Sequence, residues 1–280
     1  MLRSFRVFLL LCLPLAFVGV RVSCSFAQGG DAQPSVNLPS KNLFRIVVLA
    51  GQSNMAGRGF VEEEDRAPIP RVFMLDREGR WVPAVEPVHY DKPTAGVGPG
   101  REFARMLVES NPEIAVGLVP TACGGSSVDD WSPGVFFKQT NSYPYDDAIA
   151  RTKRALEDGT LEAILWRQGE SDASEEKAGQ YEEKLLRLFD NLRREFNAPN
   201  VPILIGELAL PDENKCAQAL REAQLSVAER AQPAAFVSAD GVVLNPDKIH
   251  FDRKSQIEQG RRFFYALERI KQEKTSENEN

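Results

Sequence analysis

Five short apolar runs, each followed by an amphipathic stretch, constrain this chain more than any other feature of its sequence. The runs lie at residues 44–50, 115–120, 163–167, 203–207 and 235–238. Amphipathic stretches occupy 102–109, 146–158, 175–196, 215–230 and 255–271. Short, β-branched-rich apolar runs suit buried strands, and the longer stretches suit helices. In 175–196, Tyr181, Leu185, Leu188 and Leu192 recur at spacings of three and four, which lays one apolar face over a sheet. Strands alternating with helices predict an α/β fold whose five-stranded parallel sheet is covered on both faces.

At 280 residues the chain suits one sizeable domain. The expected organisation is a signal peptide at 1–27, a polar linker at 28–42, the α/β domain at 43–271 and a polar, disordered tail at 272–280. Arg3 and Arg6 precede an almost wholly apolar core at 7–20, and Ser25-Phe26-Ala27 supplies small residues for cleavage after Ala27. The core is shorter than the roughly 20 residues that span a bilayer. The predicted destination is export, periplasmic or extracellular, without membrane attachment after cleavage. Lipid attachment at Cys24 is the weaker alternative, because Arg21 stands where an apolar residue belongs.

One segment breaks the alternation. Residues 59–100 hold Pro68, Pro70, Pro83, Pro87, Pro93 and Pro99, with short β-like pieces such as Val72-Phe73-Met74-Leu75. A long irregular insertion in this place predicts a wall or lid over a site.

Removing 1–27 takes three arginines and no acids, leaving 31 basic against 40 acidic residues. That balance argues against nucleic acid or anionic membrane as partner. Cleavage also removes Cys12 and Cys24, so Cys123 and Cys216 form one disulfide or stay free, and Cys123 suits a buried thiol. The chain has two histidines, His89 and His250, and neither a C-x-x-C nor an H-E-x-x-H motif. A metal site is not expected, and neither is a cofactor.

Ligands of a parallel sheet gather outside the carboxyl ends of its strands, so the loops after the five runs carry the chemistry. The first reads Gly51-Gln52-Ser53-Asn54-Met55, a serine on a glycine turn leading into a helix. Such a turn exposes a nucleophile beside free backbone N–H groups. Met55 replaces the second glycine of a G-x-S-x-G elbow, so the partners must decide. A serine needs a base, ordinarily histidine. His250 follows the last run in Asp247-Lys248-Ile249-His250, a spacing that lets Asp247 hold the far ring nitrogen. His89, in the insertion, reads as structural or substrate-side.

The second loop, Thr121-Ala122-Cys123-Gly124-Gly125-Ser126-Ser127, offers backbone N–H groups to a developing anion, or is a plain tight turn. In the third, Trp166-Arg167-Gln168-Gly169-Glu170-Ser171-Asp172, Gln168 is a candidate donor and Glu170 a spare carboxylate. Ser126 and Ser171 are rival serines ranked below Ser53, and Ser171 also suits a helix cap. Gly96-Val97-Gly98-Pro99-Gly100 supplies a second donor or merely starts a helix. It is not a phosphate loop, lacking the Gly-Lys-Ser/Thr sequence. Trp81 and Trp131 either stack on a sugar or pack in the core.

Taken in order, these five blocks resemble the SGNH hydrolases, specifically the sialate O-acetylesterase-like branch that includes the acetylxylan esterases of carbohydrate esterase family 6. The resemblance covers residues 43–270, nearly all of the expected mature chain. It implies a flavodoxin-like three-layer sandwich and metal-free removal of O-acetyl groups from carbohydrates. By position, Ser53 is then the nucleophile, His250 the base and Asp247 its orienting acid, with Glu170 as the alternative acid. Gly98, Gly125, Gln168, Gln52 and Asn54 form the implied oxyanion and substrate-binding set. Arg167 stands where the family often has His or Tyr, at the expected rim of the site. A carbohydrate-binding protein without turnover, or a lipase or arylesterase, would use the same residues. The charged run Glu62-Glu63-Glu64-Asp65-Arg66 argues against the apolar lid of a long-acyl site.

Overall fold

A computed structural model describes residues 36–208 and 214–279. The expected signal peptide and most of the expected linker lie outside the described residues. The seven strands are β1 (Phe44–Gly51), β2 (Val72–Leu75), β3 (Trp81–Pro83), β4 (Ala115–Pro120), β5 (Thr160–Arg167), β6 (Ile203–Gly206) and β7 (Ala234–Val237). They form one sheet in the order β3-β2-β4-β1-β5-β6-β7, parallel except for the antiparallel β2–β3 pair. The helices are α1 (Ser53–Ala56), α2 (Pro99–Ser110), α3 (Pro144–Asp158), α4 (Glu175–Glu195), α5 (Lys215–Arg230) and α6 (Arg253–Glu279).

Strand alternation assigns each side chain to a layer. Val48 and Ala50 of β1, with Ile164 and Trp166 of β5, pack under α3, α4 and α5. Their neighbours Val47, Leu49, Ala163 and Leu165 pack on the opposite face against α2 and α6. Tyr181, Leu185, Leu188 and Leu192 of α4 are all buried, as their spacing requires. The result is the α/β three-layer sandwich expected from the sequence.

The sheet has two more strands than the five expected. Both come from the insertion, and both are short edge pieces of four and three residues. Pro83 ends β3, a place where its missing N–H costs no ladder bond. Trp81 anchors this edge by lying edge-on to Phe44, with centroids 4.8 Å apart, and by donating its Nε1–H to Asp158 at 2.8 Å. Gly117 on β4 makes room, since a Cβ there would sit 2.6 Å from both rings.

At the other end, α6 runs on through Glu279, so residues 272–279 continue a helix where a tail was expected. The segment is rich in Glu, Lys and Gln, which are good helix formers. The Lys271–Glu268 pair at 3.0 Å supports the same turns.

β1 lies between β4 and β5, and the chain passes from one side of it to the other. Its carboxyl end is therefore the topological switch point, where such sheets open a crevice. Ser53 stands there.

Candidate active site

Gly51 ends β1 at φ +121°, and a Cβ at that position would lie 2.1 Å from the Arg167 carbonyl oxygen. Only glycine lets the chain leave β1 this close to β5. The Gln52 N–H donates to that carbonyl at 2.8 Å and α1 begins at once, with Ser53 as its first residue. The loop after β7 is closed by the Asn245 N–H donating to the His250 carbonyl at 2.7 Å, with Lys248 in the left-handed region at φ +58°.

These two loops bring three side chains into a row. Ser53 Oγ lies 2.9 Å from His250 Nε2, and His250 Nδ1 lies 2.8 Å from Asp247 Oδ2. The other Asp247 oxygen accepts the N–H groups of Ile249 and His250, both at 2.9 Å. Burial would raise the Asp247 pKa, but these backbone and ring donors outweigh it and hold the carboxyl down at about 2. An ionised Asp247 takes the Nδ1–H, which leaves Nε2 to accept the serine proton. Ser53 is almost fully buried, while the His250 and Asp247 side chains are 23% and 46% exposed. The row thus opens to solvent at its acid end.

Glu170, the alternative acid, stands one step away. Its Oε1 accepts from Asn54 Nδ2 at 2.9 Å, whereas Asp247 occupies Nδ1 of the histidine. Asn54 is completely buried and its amide is committed: Nδ2 also donates to the Ile249 carbonyl at 3.1 Å, and Oδ1 accepts the Phe251 N–H at 3.1 Å. It clamps the histidine loop to α1.

The implied oxyanion donors divide. Gln168 is buried and its Nε2 donates to the Ser126 carbonyl at 3.0 Å and to Asp172, with Gln52 Oε1 at 3.3 Å. Its hydrogens tie three loops together, so it braces the site from below. The Gly98 N–H faces the buried Glu86 carboxylate at 3.4 Å, and the Gly96 and Val97 N–H groups bond the Gly57 and Gly59 carbonyls. The glycine loop before α2 therefore packs behind the serine turn. Among the described residues, no protein acceptor takes the N–H of Ser53 or Gly125. Ser171 Oγ donates to the Gly125 carbonyl at 2.9 Å and fixes that turn, while Ser174 takes the position before α4. Ser126 is fully buried, donating to the Cys123 carbonyl and accepting from Trp131 Nε1. Neither rival serine is paired with a histidine.

Trp81 and Trp131 are core residues, 7% and 2% exposed. Arg167 is not at a rim. It points from β5 toward α6, completely buried, with its guanidinium 4.7 Å from the Phe251 ring and bonded to Gln259. Burial lowers its pKa to about 9. Cys123 and Cys216 are unpaired, and burial pushes the Cys123 thiol up to about 11. Among the described residues, no group of three or more His, Cys, Asp or Glu is placed to hold a metal ion.

One arrangement has no counterpart in the sequence motifs. Asp91, from the insertion, accepts the Gly124 N–H at 2.9 Å and pairs with Arg58 at 2.7 Å. Both side chains are buried, and Arg58 follows directly on the serine turn. The pair locks the two strand-end loops together across 33 residues. The preceding His89 is also buried, which pushes its pKa down to about 4 and keeps the ring neutral.

The sequence model of the family described as carbohydrate esterase, sialic acid-specific acetylesterase matches residues 43–269. A probable carbohydrate esterase of Arabidopsis thaliana is 32% identical over 253 residues, covering 82% of this chain and 92% of that protein. An Arabidopsis thaliana X-ray structure aligns with a TM-score of 0.71 at 31% identity, over 82% of this chain and 98% of that one. NanS aligns with a TM-score of 0.63 at 18% identity, over 84% and 100% of the two chains. A carbohydrate acetylesterase from Xanthomonas citri aligns with a TM-score of 0.63 at 20% identity, over 80% of this chain and 56% of that one. The last two likenesses show a shared fold.

Proposed function

The chain belongs to the carbohydrate esterase family of sialic acid-specific acetylesterases, and from that premise we propose an exported serine esterase that removes O-acetyl groups from carbohydrates, of the acetylxylan or sialate type. The observation that carries this reading is the row Ser53–His250–Asp247, with its two contacts of 2.9 and 2.8 Å.

In this reading Ser53 Oγ attacks the acetyl carbonyl carbon while His250 Nε2 takes the hydroxyl proton. Asp247 stabilises the imidazolium so formed. The carbonyl oxygen gathers negative charge, and the uncommitted N–H groups of Ser53 and Gly125 are the donors proposed to meet it. His250 returns the proton to the departing sugar oxygen, leaving an acetyl-Ser53 ester. A water molecule then gives its proton to His250 and attacks that ester, releasing acetate and restoring the serine.

Export rests on Arg3, Arg6, the apolar core at 7–20 and Ser25-Phe26-Ala27. Sequencing the amino terminus of protein secreted by a host cell tests it, with Gln28 as the expected first residue.

Acetate release from acetylated xylan and from O-acetylated sialic acid, with Ser53→Ala alongside, tests the activity. The expected result is release from at least one substrate and its near-complete loss in a folded variant. A folded Ser53→Ala protein with wild-type turnover would move the nucleophile elsewhere.

A further inference from the structure

Arg167 ends β5 at the register position opposite Gly51, and it reaches the reacting pair from two sides. Its carbonyl accepts the Gln52 N–H at 2.8 Å, one residue before Ser53. Its guanidinium lies 4.7 Å from the ring centroid of Phe251, one residue after His250. One residue thus holds the backbone that leads into the nucleophile and the side chain that follows the base.

The ring that meets the guanidinium is itself fixed. Phe251 is fully buried, its N–H donates to Asn54 Oδ1 at 3.1 Å, and its carbonyl accepts from Asn245 Nδ2 at 3.3 Å. Phe263 of α6 lies 5.3 Å from the same guanidinium, and Nη2 donates to Gln259 Oε1. Aromatic faces attract a cation within about 6 Å of the ring centroid. β6 leaves the space, since a Cβ on Gly206 would lie 2.4 Å from Arg167 Nε. A rigid peptide unit joins Phe251 to His250, so a shift of the first carries the backbone of the second.

This placement destabilises the fold. Arg167 is completely buried, and its Nε and Nη1 have no acceptor among the described residues. The carboxylates that act on it, Glu170 and Glu207, are bonded to Asn54 and to Arg221. Even with its pKa lowered to about 9, the group is a cation at pH 7. An apolar side chain of similar volume is often the more stable occupant of such a site. Local rules of packing and charge are broken mainly where function requires it.

We infer that Arg167 is a positioning residue: it sets the His250 ring against Ser53 by pinning Phe251, and the fold carries it at a loss of stability. The inference rests on the serine esterase reading above and extends it to the layer behind the triad.

Arg167→Met keeps the length of the side chain and removes its charge and its planar face. For an aryl acetate, kcat should fall by about tenfold or more with KM nearly unchanged, while Tm stays at or above that of wild type. A residue that served the fold alone would do the reverse, lowering Tm and sparing the kcat of the folded fraction. Phe251→Leu removes the same contact from its other side. The double variant should therefore stay within about threefold of the slower single variant. Losses that multiply in the double variant, a loss carried by KM, wild-type kcat in Arg167→Met, or a fall in its Tm would each overturn the positioning role. Wild-type protein that hydrolyses no acetate ester overturns the esterase reading, and the role of Arg167 with it.

Discussion

Asn54 Oδ1 accepts the Phe251 N–H at 3.1 Å across 197 residues of sequence. The same amide donates to the Ile249 carbonyl at 3.1 Å, so it grips the two residues that flank His250. Asn54, the residue after Ser53, thus holds the loop that carries His250. The serine and the imidazole cannot drift apart without breaking a fully buried amide.

Replacing Asn54 by Ala leaves the Phe251 N–H and the Ile249 carbonyl unsatisfied. The Phe251 N–H is then a buried orphan, which costs about 1–3 kcal/mol, so a clear drop in Tm is expected. Asn54→Asp keeps an acceptor but sets a second carboxylate against Glu170. Both variants should lower kcat for a small aryl acetate by about 10- to 100-fold, with little change in KM, because the geometry of the reacting pair suffers more than substrate contact. An Ala variant with wild-type kcat would mean that the histidine loop holds itself.

Asp247 and Glu170 are separated by what each carboxylate touches. Asp247→Asn cannot hold the Nδ1–H tautomer and should lower kcat by about 10²- to 10⁴-fold, in line with other triads. Glu170→Gln keeps an acceptor for Asn54 and should cost less than about tenfold. The pH dependence has a definite sign. The Asp247 pKa is depressed, so its contribution is complete above the ordinary value of 3.8 and is lost only as pH falls toward about 2. Any loss of activity between pH 7 and 5 must therefore come from another group. A pH–rate profile of wild type and Glu170→Gln checks this, and a larger loss in Glu170→Gln than in Asp247→Asn would exchange their roles.

The sheet and its long helices were legible because their signals are local and repetitive. The run at 115–120 coincides with β4, and 215–230 coincides with α5. The β-like piece at 72–75 coincides with β2, but its place in the sheet and its partner β3 escaped, because three or four residues among prolines show no period. The loops carrying Ser53, Asp247 and His250 were legible from their place after strands. The brace formed by Arg58 and Asp91 was not, since nothing in either sequence neighbourhood signals a partner 33 residues away. Arg167 illustrates a different failure. Strand alternation puts it on the face opposite Trp166, toward α6, but a charged residue at a strand end reads naturally as a rim residue.

Glu86 lies behind the serine turn, 2% exposed, accepting the Val88 N–H at 3.0 Å and facing Gly98. Burial raises its pKa to about 7, against the partial relief of those backbone donors. The folded protein then binds this proton more tightly than the unfolded chain. Its contribution to stability is complete below about pH 4.5 and is lost as pH rises through about 7, where the buried group must ionise. Glu86→Gln removes that penalty. Its Tm should exceed the wild-type Tm at pH 8 and match it, or fall below it, at pH 4. A difference that is constant from pH 4 to pH 8 would show that Glu86 does not titrate in the fold.

Asp91 joins the insertion to the chemistry, since one carboxylate serves both the Gly124 N–H and Arg58. Asp91→Ala leaves a guanidinium buried at 7% side-chain exposure without its counter-charge, a change that costs about 3–5 kcal/mol in such sites. Asp91→Asn is more informative. It retains an acceptor for Gly124 and loses only the charge, so the turn should persist while the Arg58 contact weakens. If the pair positions Gly125 for the developing oxyanion, Asp91→Asn should lower kcat by about tenfold with KM nearly constant. A double-mutant cycle with Arg58→Met then isolates the coupling. The double variant should be more stable than either single one, because no unpaired charge stays buried, yet its kcat should stay low because the brace between the two loops is gone. Recovery of stability together with full wild-type kcat would assign the pair to folding alone.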